Sequence, residues 1–206
     1  MELKRNIGRL FVDKVVFLNC DIQDGKYLLS LFKAKTMMQV ASRLMKYAKI
    51  MEIPVIVTTQ NTKVFGDTCG SIKAHYHDRV KEFDKTSFSM ITPEVSDAIG
   101  KNNSIVLYGC EAHVCLQQTC LDLLEEGRTV HLCTDGITSK NEGDRFSALR
   151  RMENAGAIVT TSESIMFEIL KDSKNPKFKE CLNVLKEIVE EPFTNFWLIN
   201  SYRKIK

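Results

Sequence analysis

The sequence predicts an α/β fold, a three-layer α/β/α, doubly wound (Rossmann-like) sheet of about six parallel strands. Three observations carry that expectation. Apolar runs of strand length alternate with helix-like segments along most of the chain. Those runs are continuous rather than alternating, as strands buried on both faces of a parallel sheet require. Finally, no internal repeat or low-complexity linker breaks the order, and only 4 prolines occur in 206 residues. One domain over residues 1–206 is expected, with a core of about 14–190 and a C-terminal tail of 191–206.

Lys14–Cys20 (KVVFLNC) reads as the first strand. Helical periodicity follows from about Leu28 to Met51, placing Leu31, Met38, Leu44, Met45 and Ala48 on a buried stripe. Pro54–Thr59 is the second strand, and a long polar, glycine-containing loop runs to about Asp78. A short strand occupies Val80–Phe83. Thr92 as N-cap and Pro93 at the first helical position open a helix that reaches Ile99. Ser104–Gly109 is the next strand. The helix after it carries Cys115 in its first turn and ends at Gly127, a suitable C-cap. Strand Thr129–Thr134, helix Asp144–Gly156, strand Ala157–Thr161 and helix Ser162–Leu170 continue the alternation. A last helix spans Asn175–Glu190, and an aromatic tail, Phe193–Tyr202 with Trp197, offers a surface for self-contact or for packing on its own domain.

Composition narrows the function classes. Hydrophobic content of 44% and charged content of 27% are ordinary for a globular protein. No apolar run approaches the roughly 20 residues that span a bilayer, so no membrane association is expected. Met1–Leu10 is mildly basic and has no signal-peptide core. A cytoplasmic location is expected, with a mitochondrial one as the alternative. The 29 basic and 26 acidic residues are interspersed, without a basic face or base-stacking motif, so no nucleic-acid partner is expected. The 7 cysteines are odd in number and irregularly spaced, which fits reduced thiols rather than a disulfide framework.

In a doubly wound sheet the crevice lies at the carboxyl ends of the strands, so residues just past each strand are the candidates for chemistry. Asp21 follows the first strand, Lys85 follows Val80–Phe83, and Cys115 lies past the strand ending at Gly109. A thiol at a helix N-terminus meets unpaired N–H groups and the positive end of the dipole, which favour the thiolate. A Lys85 ammonium would add to that effect. Asp21 would hold Lys85 and shuttle a proton, while the thiolate attacked a carbonyl carbon to give a covalent intermediate hydrolysed by water. On the residues alone, a capping Asp, a solvated Lys and a packed Cys remain the competing readings. Cys110-x-x-His113-x-Cys115 offers zinc-type ligands, but no second cluster completes a set of four.

Cys20–Gln23 (CDIQ), Phe83–Met90 (FDKTSFSM), Val106–Gly127 (VLYGCEAHVCLQQTCLDLLEEG) and Val130–Ser139 (VHLCTDGITS) together resemble the isochorismatase-like cysteine hydrolase superfamily, in particular its isochorismatase-domain-containing branch. The resemblance runs in order from about Lys14 to Phe178. It implies a catalytic triad of Asp21, Lys85 and Cys115. It also implies a cis peptide joining Cys110 and Glu111, an oxyanion hole from the N–H groups of Val114 and Cys115 or their neighbours, and assembly into a dimer or larger homo-oligomer.

Departures from the family pattern refine this. Nicotinamidases of the superfamily carry a metal-binding Asp-x-His after the second strand, whereas Thr58–Gly66 (TTQNTKVFG) has neither residue. No metal and no cofactor are therefore expected, and His75 and His77 read as an exposed loop pair. True isochorismate hydrolases lack the nucleophilic cysteine, so Cys115 points to a small-molecule amide, ureido or similar carbonyl substrate. Lys26, between Gly25 and Tyr27, stands where relatives carry an aromatic residue, and Thr59 stands where the branch carries Glu. Gln23, Tyr27, Thr59 and His113 are the candidate pocket residues, His113 with a capping role equally open. Cys110, Cys120 and Cys133 read as core, and Asp135 and Ser139 as organisers of the rim. The expected activity is hydrolysis of C–N bonds other than peptide bonds through a Cys115 thioester. The alternatives are an idle scaffold or interaction protein on the same fold, or a ribonuclease, a label some relatives carry.

Overall fold

The computed structural model describes residues 7–190. The aromatic tail Phe193–Tyr202 and the first six residues lie outside them. Six strands, β1 (Val15–Cys20), β2 (Val55–Gln60), β3 (Val80–Lys85), β4 (Ser104–Cys110), β5 (Thr129–Thr138) and β6 (Ile158–Thr160), form one sheet in the order β3-β2-β1-β4-β5-β6. Every pairing is parallel. Each residue of β1 and β4 is buried, which is why these strands show no polar alternation. Winding reverses between them, so the switch point lies where Cys20 and Gly109 end their ladder.

Helices cover both faces. α1 (Lys26–Leu29), α2 (Ala34–Met51), α3 (Thr62–Phe65), α4 (Gly70–Lys73) and α5 (Pro93–Ile99) fall in the first half. α6 (Gln117–Glu125), α7 (Glu142–Asn154), α8 (Ser162–Leu170) and α9 (Phe178–Leu185) fall in the second. α2 packs with α8, α9 and β5, while α6 packs with α7. The apolar stripe of α2 (Met37, Val40, Ala41, Leu44, Met45, Ala48) enters the core, where Phe17 and Tyr108 meet edge-on at 6.4 Å. Tyr47 reaches the same layer and donates its hydroxyl to the Met166 carbonyl at 2.7 Å.

Local departures from the expected elements have identifiable causes. The helix foreseen over Leu28–Met51 is two pieces, α1 and α2, separated by Lys33 in left-handed conformation (φ 49°). Tertiary bonds hold the break. Phe32 N–H donates to the Ser139 carbonyl at 2.9 Å, and the Phe32 carbonyl accepts from the Thr138 hydroxyl. The polar stretch toward Asp78 contains the single-turn helices α3 and α4. β3 continues to Lys85 because Thr59 and Gln60 extend its ladder, and β5 continues to Thr138 through a register shift opposite Leu107–Gly109.

Two local details fix the carboxyl edge of the sheet. Gly109 adopts φ 121°, and a Cβ there would stand 2.1 Å from the Cys20 carbonyl oxygen. Only glycine lets β1 and β4 close up at that point. Asp135 accepts from the Ser162 N–H at 2.7 Å and from its hydroxyl at 2.5 Å, pinning the start of α8 to the bulged part of β5. Asp135→Ala is expected to lower stability by about 1–3 kcal/mol, read from chemical denaturation, because both donors lose their acceptor in a partly buried place.

Candidate active site

β1 ends at Cys20, and Asp21 then turns with a left-handed φ of 50°, a conformation an aspartate tolerates better than most residues. Its N–H donates to the Thr58 carbonyl at 3.1 Å, so the turn stays attached to β2. Its side chain is buried and doubly engaged. Oδ1 accepts from the Thr58 hydroxyl at 2.7 Å, and Oδ2 lies 2.8 Å from Lys85 Nζ. Lys85 ends β3 and is only 4% exposed, the one buried residue of an otherwise half-solvated edge strand. Besides Asp21, its ammonium donates to Gln60 Oε1 at 2.8 Å and to the carbonyls of Ser87 and Phe88 at 3.1 and 3.2 Å. Burial alone would push Lys85 down. Neighbouring acidic groups, Cys20 once ionised and the Asp21 carboxylate, outweigh it, and the ammonium is held above the ordinary lysine range.

The third residue arrives from β4. The Cys110–Glu111 peptide is cis, as the resemblance implied. The chain then makes a π-helical turn over Ala112–Leu116, with Leu116 N–H donating to the Glu111 carbonyl at 3.2 Å, before α6 begins. Cys115 sits in that turn, buried, and its carbonyl accepts from the Thr119 hydroxyl at 2.7 Å. Thr119 in turn accepts from Met90 N–H at 2.8 Å, which ties the cysteine turn to the segment following Lys85. The Cys115 sulfur, an Asp21 carboxylate oxygen and the Cys20 sulfur lie within 4.8 Å of one another. Asp21, Lys85 and Cys115 are thus gathered on one rim. Cys20 joins them, a neighbour the sequence analysis did not single out, although it precedes Asp21 directly.

A cavity of about 290 Å3 opens above Cys115. Tyr27, Leu28, Phe65, Phe88 and Val114 supply apolar walls, and Asp21, Cys110, Glu111 and Cys115 form its polar floor. Gln23 reaches the cavity but its amide is used as a brace: Nε2 donates to the carbonyls of Gln60 and Gly66 at 3.2 and 2.6 Å, and Oε1 accepts from Gln60 N–H at 2.8 Å. Glu111 accepts from the Tyr27 hydroxyl and from Lys140 N–H at 2.6 Å, joining α1 to the loop after β5. Tyr27 also meets the Phe65 ring at 5.9 Å.

Two candidate pocket residues fall outside this lining. Thr59 donates to Asp84 Oδ1 at 2.9 Å, on the opposite side of β2 from Thr58, because successive strand residues alternate faces. His113 sets Nδ1 3.1 Å from the Ser139 hydroxyl and 4.0 Å from Glu111 Oε2, a role in the turn rather than in the cavity wall. Phe65, Phe88 and Gln60 were missed because they lie at the end of the single-turn α3, in a loop and at the end of β2, places whose course depends on tertiary contacts.

The donor set suits proton transfer better than metal binding. Cys20, Asp21 and Cys115 could offer two sulfurs and an oxygen, but an incoming cation would have to displace the Lys85 ammonium from Asp21. Burial pushes the Cys20 and Cys110 thiols well up, so both remain protonated near neutrality.

The sequence model of the isochorismatase domain matches residues 15–164, well over half of the chain. The chain belongs to the isochorismatase family. Among relatives within this family, isochorismatase domain-containing protein 2 of Xenopus laevis is 39% identical over 98% of this chain and 97% of its own. The solved structure described as the MAR1 ribonuclease of Caenorhabditis elegans is 36% identical, with a TM-score of 0.86 over 91% of this chain and 96% of that one. The YcaC product of Escherichia coli, described as an octameric hydrolase of unknown specificity, shares the isochorismatase-like fold with a TM-score of 0.77 at 24% identity, over 99% of this chain and all of its own. Among the described residues, no helix is long and apolar enough to cross a membrane.

Proposed function

We propose that this chain is a cysteine hydrolase that cleaves a C–N bond, other than a peptide bond, in a small amide or ureido-type carbonyl compound. The observation that carries the reading is the buried Lys85–Asp21 pair at 2.8 Å, with the Asp21 carboxylate within 4.8 Å of the Cys115 sulfur at the floor of a cavity. Asp21 takes the Cys115 proton, its carboxylate held in place by the Lys85 ammonium at 2.8 Å. The thiolate attacks the carbonyl carbon, and the Cys115 N–H, in the first turn of the helical run, faces the developing oxyanion. Val114 N–H is shared with the Glu111 carbonyl at 3.2 Å. The leaving nitrogen takes the proton from Asp21, and water hydrolyses the thioester.

The lining names the kind of substrate. Among the described residues it contains the carboxyl groups of Asp21, already paired with Lys85, and of Glu111, and no Lys, Arg or His. An uncharged compound with an apolar flank fits such walls, and an anion does not. The ribonuclease description belongs to the Caenorhabditis elegans protein, and an acidic cavity gives a polyanion no counter-charge here. The seven free thiols fit a reducing compartment, and the cytoplasm is the proposed location. Assembly into a dimer or larger homo-oligomer is proposed as well, supported by Tyr27, Phe65 and Phe88, which are exposed beside the cavity mouth.

The test is a panel of neutral amides, ureido compounds and esters, followed by intact-mass and peptide analysis. An acyl adduct on Cys115 of the unaltered protein is the expected result. Cleavage with no adduct at Cys115, or an adduct on another cysteine, ends the thioester reading.

A further inference from the structure

Cys20 stands beside the proposed nucleophile, and the hydrolytic mechanism gives it no part. It is the last residue of β1 and is fully buried. Its sulfur, an Asp21 carboxylate oxygen and the Cys115 sulfur are mutually within 4.8 Å. Burial first, then the contact with Cys115 and the Asp21 charge, keep Cys20 a thiol. The two sulfurs also differ in access. Cys115 lines the cavity, while Cys20 is closed off behind it. An accessible sulfur backed by a sheltered protonated one is the arrangement of an attacking and a resolving thiol.

We propose that Cys20 is a resolving thiol, which captures a hydroperoxide-oxidised Cys115 as a reversible Cys20–Cys115 disulfide. This inference rests on Cys115 being the reactive thiol of the proposed hydrolase. In the first step the Cys115 thiolate attacks one peroxide oxygen. An S–O bond forms, the O–O bond breaks, the sulfur loses two electrons, and the departing oxygen takes a proton to leave as water or an alcohol. In the second step the Cys20 sulfur attacks the Cys115 sulfenic acid. The S–S bond forms, the S–O bond breaks, and hydroxide leaves with the Cys20 proton as water. The Asp21 carboxylate lies within reach of both sulfurs to carry that proton. A dithiol reductant supplies the two electrons that restore both thiols.

Cys110 is the rival partner, since it lines the same cavity. Its S–H donates to the Asp21 carbonyl at 3.2 Å, and its sulfur is not one of the three donor atoms gathered within 4.8 Å. The disulfide takes the Cys115 sulfur out of substrate chemistry, and it spares Cys115 the irreversible sulfinic and sulfonic stages.

The experiment treats the full chain with hydrogen peroxide at neutral pH, alkylates free thiols, and digests without reduction. A peptide containing Cys20 joined to one containing Cys115, at the loss of two hydrogens, is expected. Iodoacetamide labelling of Cys115 should fall on oxidation and return with dithiothreitol. In Cys20→Ala and Cys20→Ser the labelling should stay lost, with sulfinic and sulfonic acid building up at Cys115. Over-oxidation of Cys115 in the unaltered protein with Cys20 still free, or a Cys110–Cys115 linkage, overturns the inference. Neither readout uses turnover. An active enzyme without the linkage therefore sinks this inference alone, whereas a Cys115 that neither labels nor oxidises sinks the nucleophile assignment with it.

Discussion

Cys115→Ala is expected to lower kcat by at least about 1000-fold on any amide or ureido compound the protein hydrolyses, with KM changed far less. The expectation follows from what the sulfur touches. It lies at the cavity floor within 4.8 Å of the Asp21 carboxylate, while the cavity walls belong to Tyr27, Leu28, Phe65, Phe88 and Val114. Removing Sγ takes away bond formation and leaves those walls in place. The backbone should also hold, because the Thr119 hydroxyl bonds to the Cys115 carbonyl and not to its side chain. Cys115→Ser is expected to be nearly as inactive, since a hydroxyl in the same place ionises far less readily than a thiol. Steady-state kinetics with a thermal melt on each variant check both points. Turnover retained in a well-folded Cys115→Ala would show that hydrolysis does not pass through this sulfur.

Replacing Lys85 should damage fold and activity together. Lys85→Met leaves the Asp21 carboxylate buried with its cation gone, a change that costs about 3–5 kcal/mol when one partner of a buried pair is removed. Gln60 Oε1 and the carbonyls of Ser87 and Phe88 lose their donor as well. Lys85→Arg should not restore the site, because a planar fork cannot direct hydrogen bonds to four acceptors set around a compact ammonium. The double variant Asp21→Asn/Lys85→Met should regain much of the stability and none of the turnover. The pH dependence has a definite sign. Lys85 is held above its ordinary value of 10.5 in the folded protein. Its contribution is therefore complete below that value and is lost as pH rises through the higher folded one. From neutrality upward, the stability gap between Lys85→Met and the unaltered protein should hold and then shrink in strongly alkaline solution. Denaturant titrations across that range decide it, and a gap that failed to shrink there would contradict the assignment.

The sequence carried the architecture because its signals were local. Continuous apolar runs at Lys14–Cys20 and Ser104–Gly109 become β1 and β4, buried along their whole length. Strand ends pointed to Asp21, Lys85 and Cys115 for a topological reason, the rule that places the crevice at a switch of winding. The cis peptide at Cys110–Glu111 was legible only through family resemblance, since nothing in the composition of a Gly-Cys-Glu turn demands it. What stayed illegible was tertiary. Lys33 breaks a well-formed helical period because β5 holds the backbone at Phe32. Thr58 rather than Thr59 faces Asp21, a choice set by the phase of β2 that a one-residue slip would reverse. Phe65, at the end of α3, and Phe88, in a loop, reach the cavity along courses that follow the Gln23 brace and the Lys85 bonds to the Ser87 and Phe88 carbonyls.

The position of Lys85 on β3 has a consequence for how long the proposed site survives. Among the described residues, β3 is an edge strand paired with β2 alone, and its other residues are exposed or half-exposed. Edge strands of this kind open by local fluctuation at a smaller free-energy cost than the strands they border. Asp21 and Cys115 hang from β1 and β4 at the sheet's centre, while their cation hangs from its margin. Integrity of the proposed site is then governed by the fraying of one strand, and global cooperativity by the rest of the sheet.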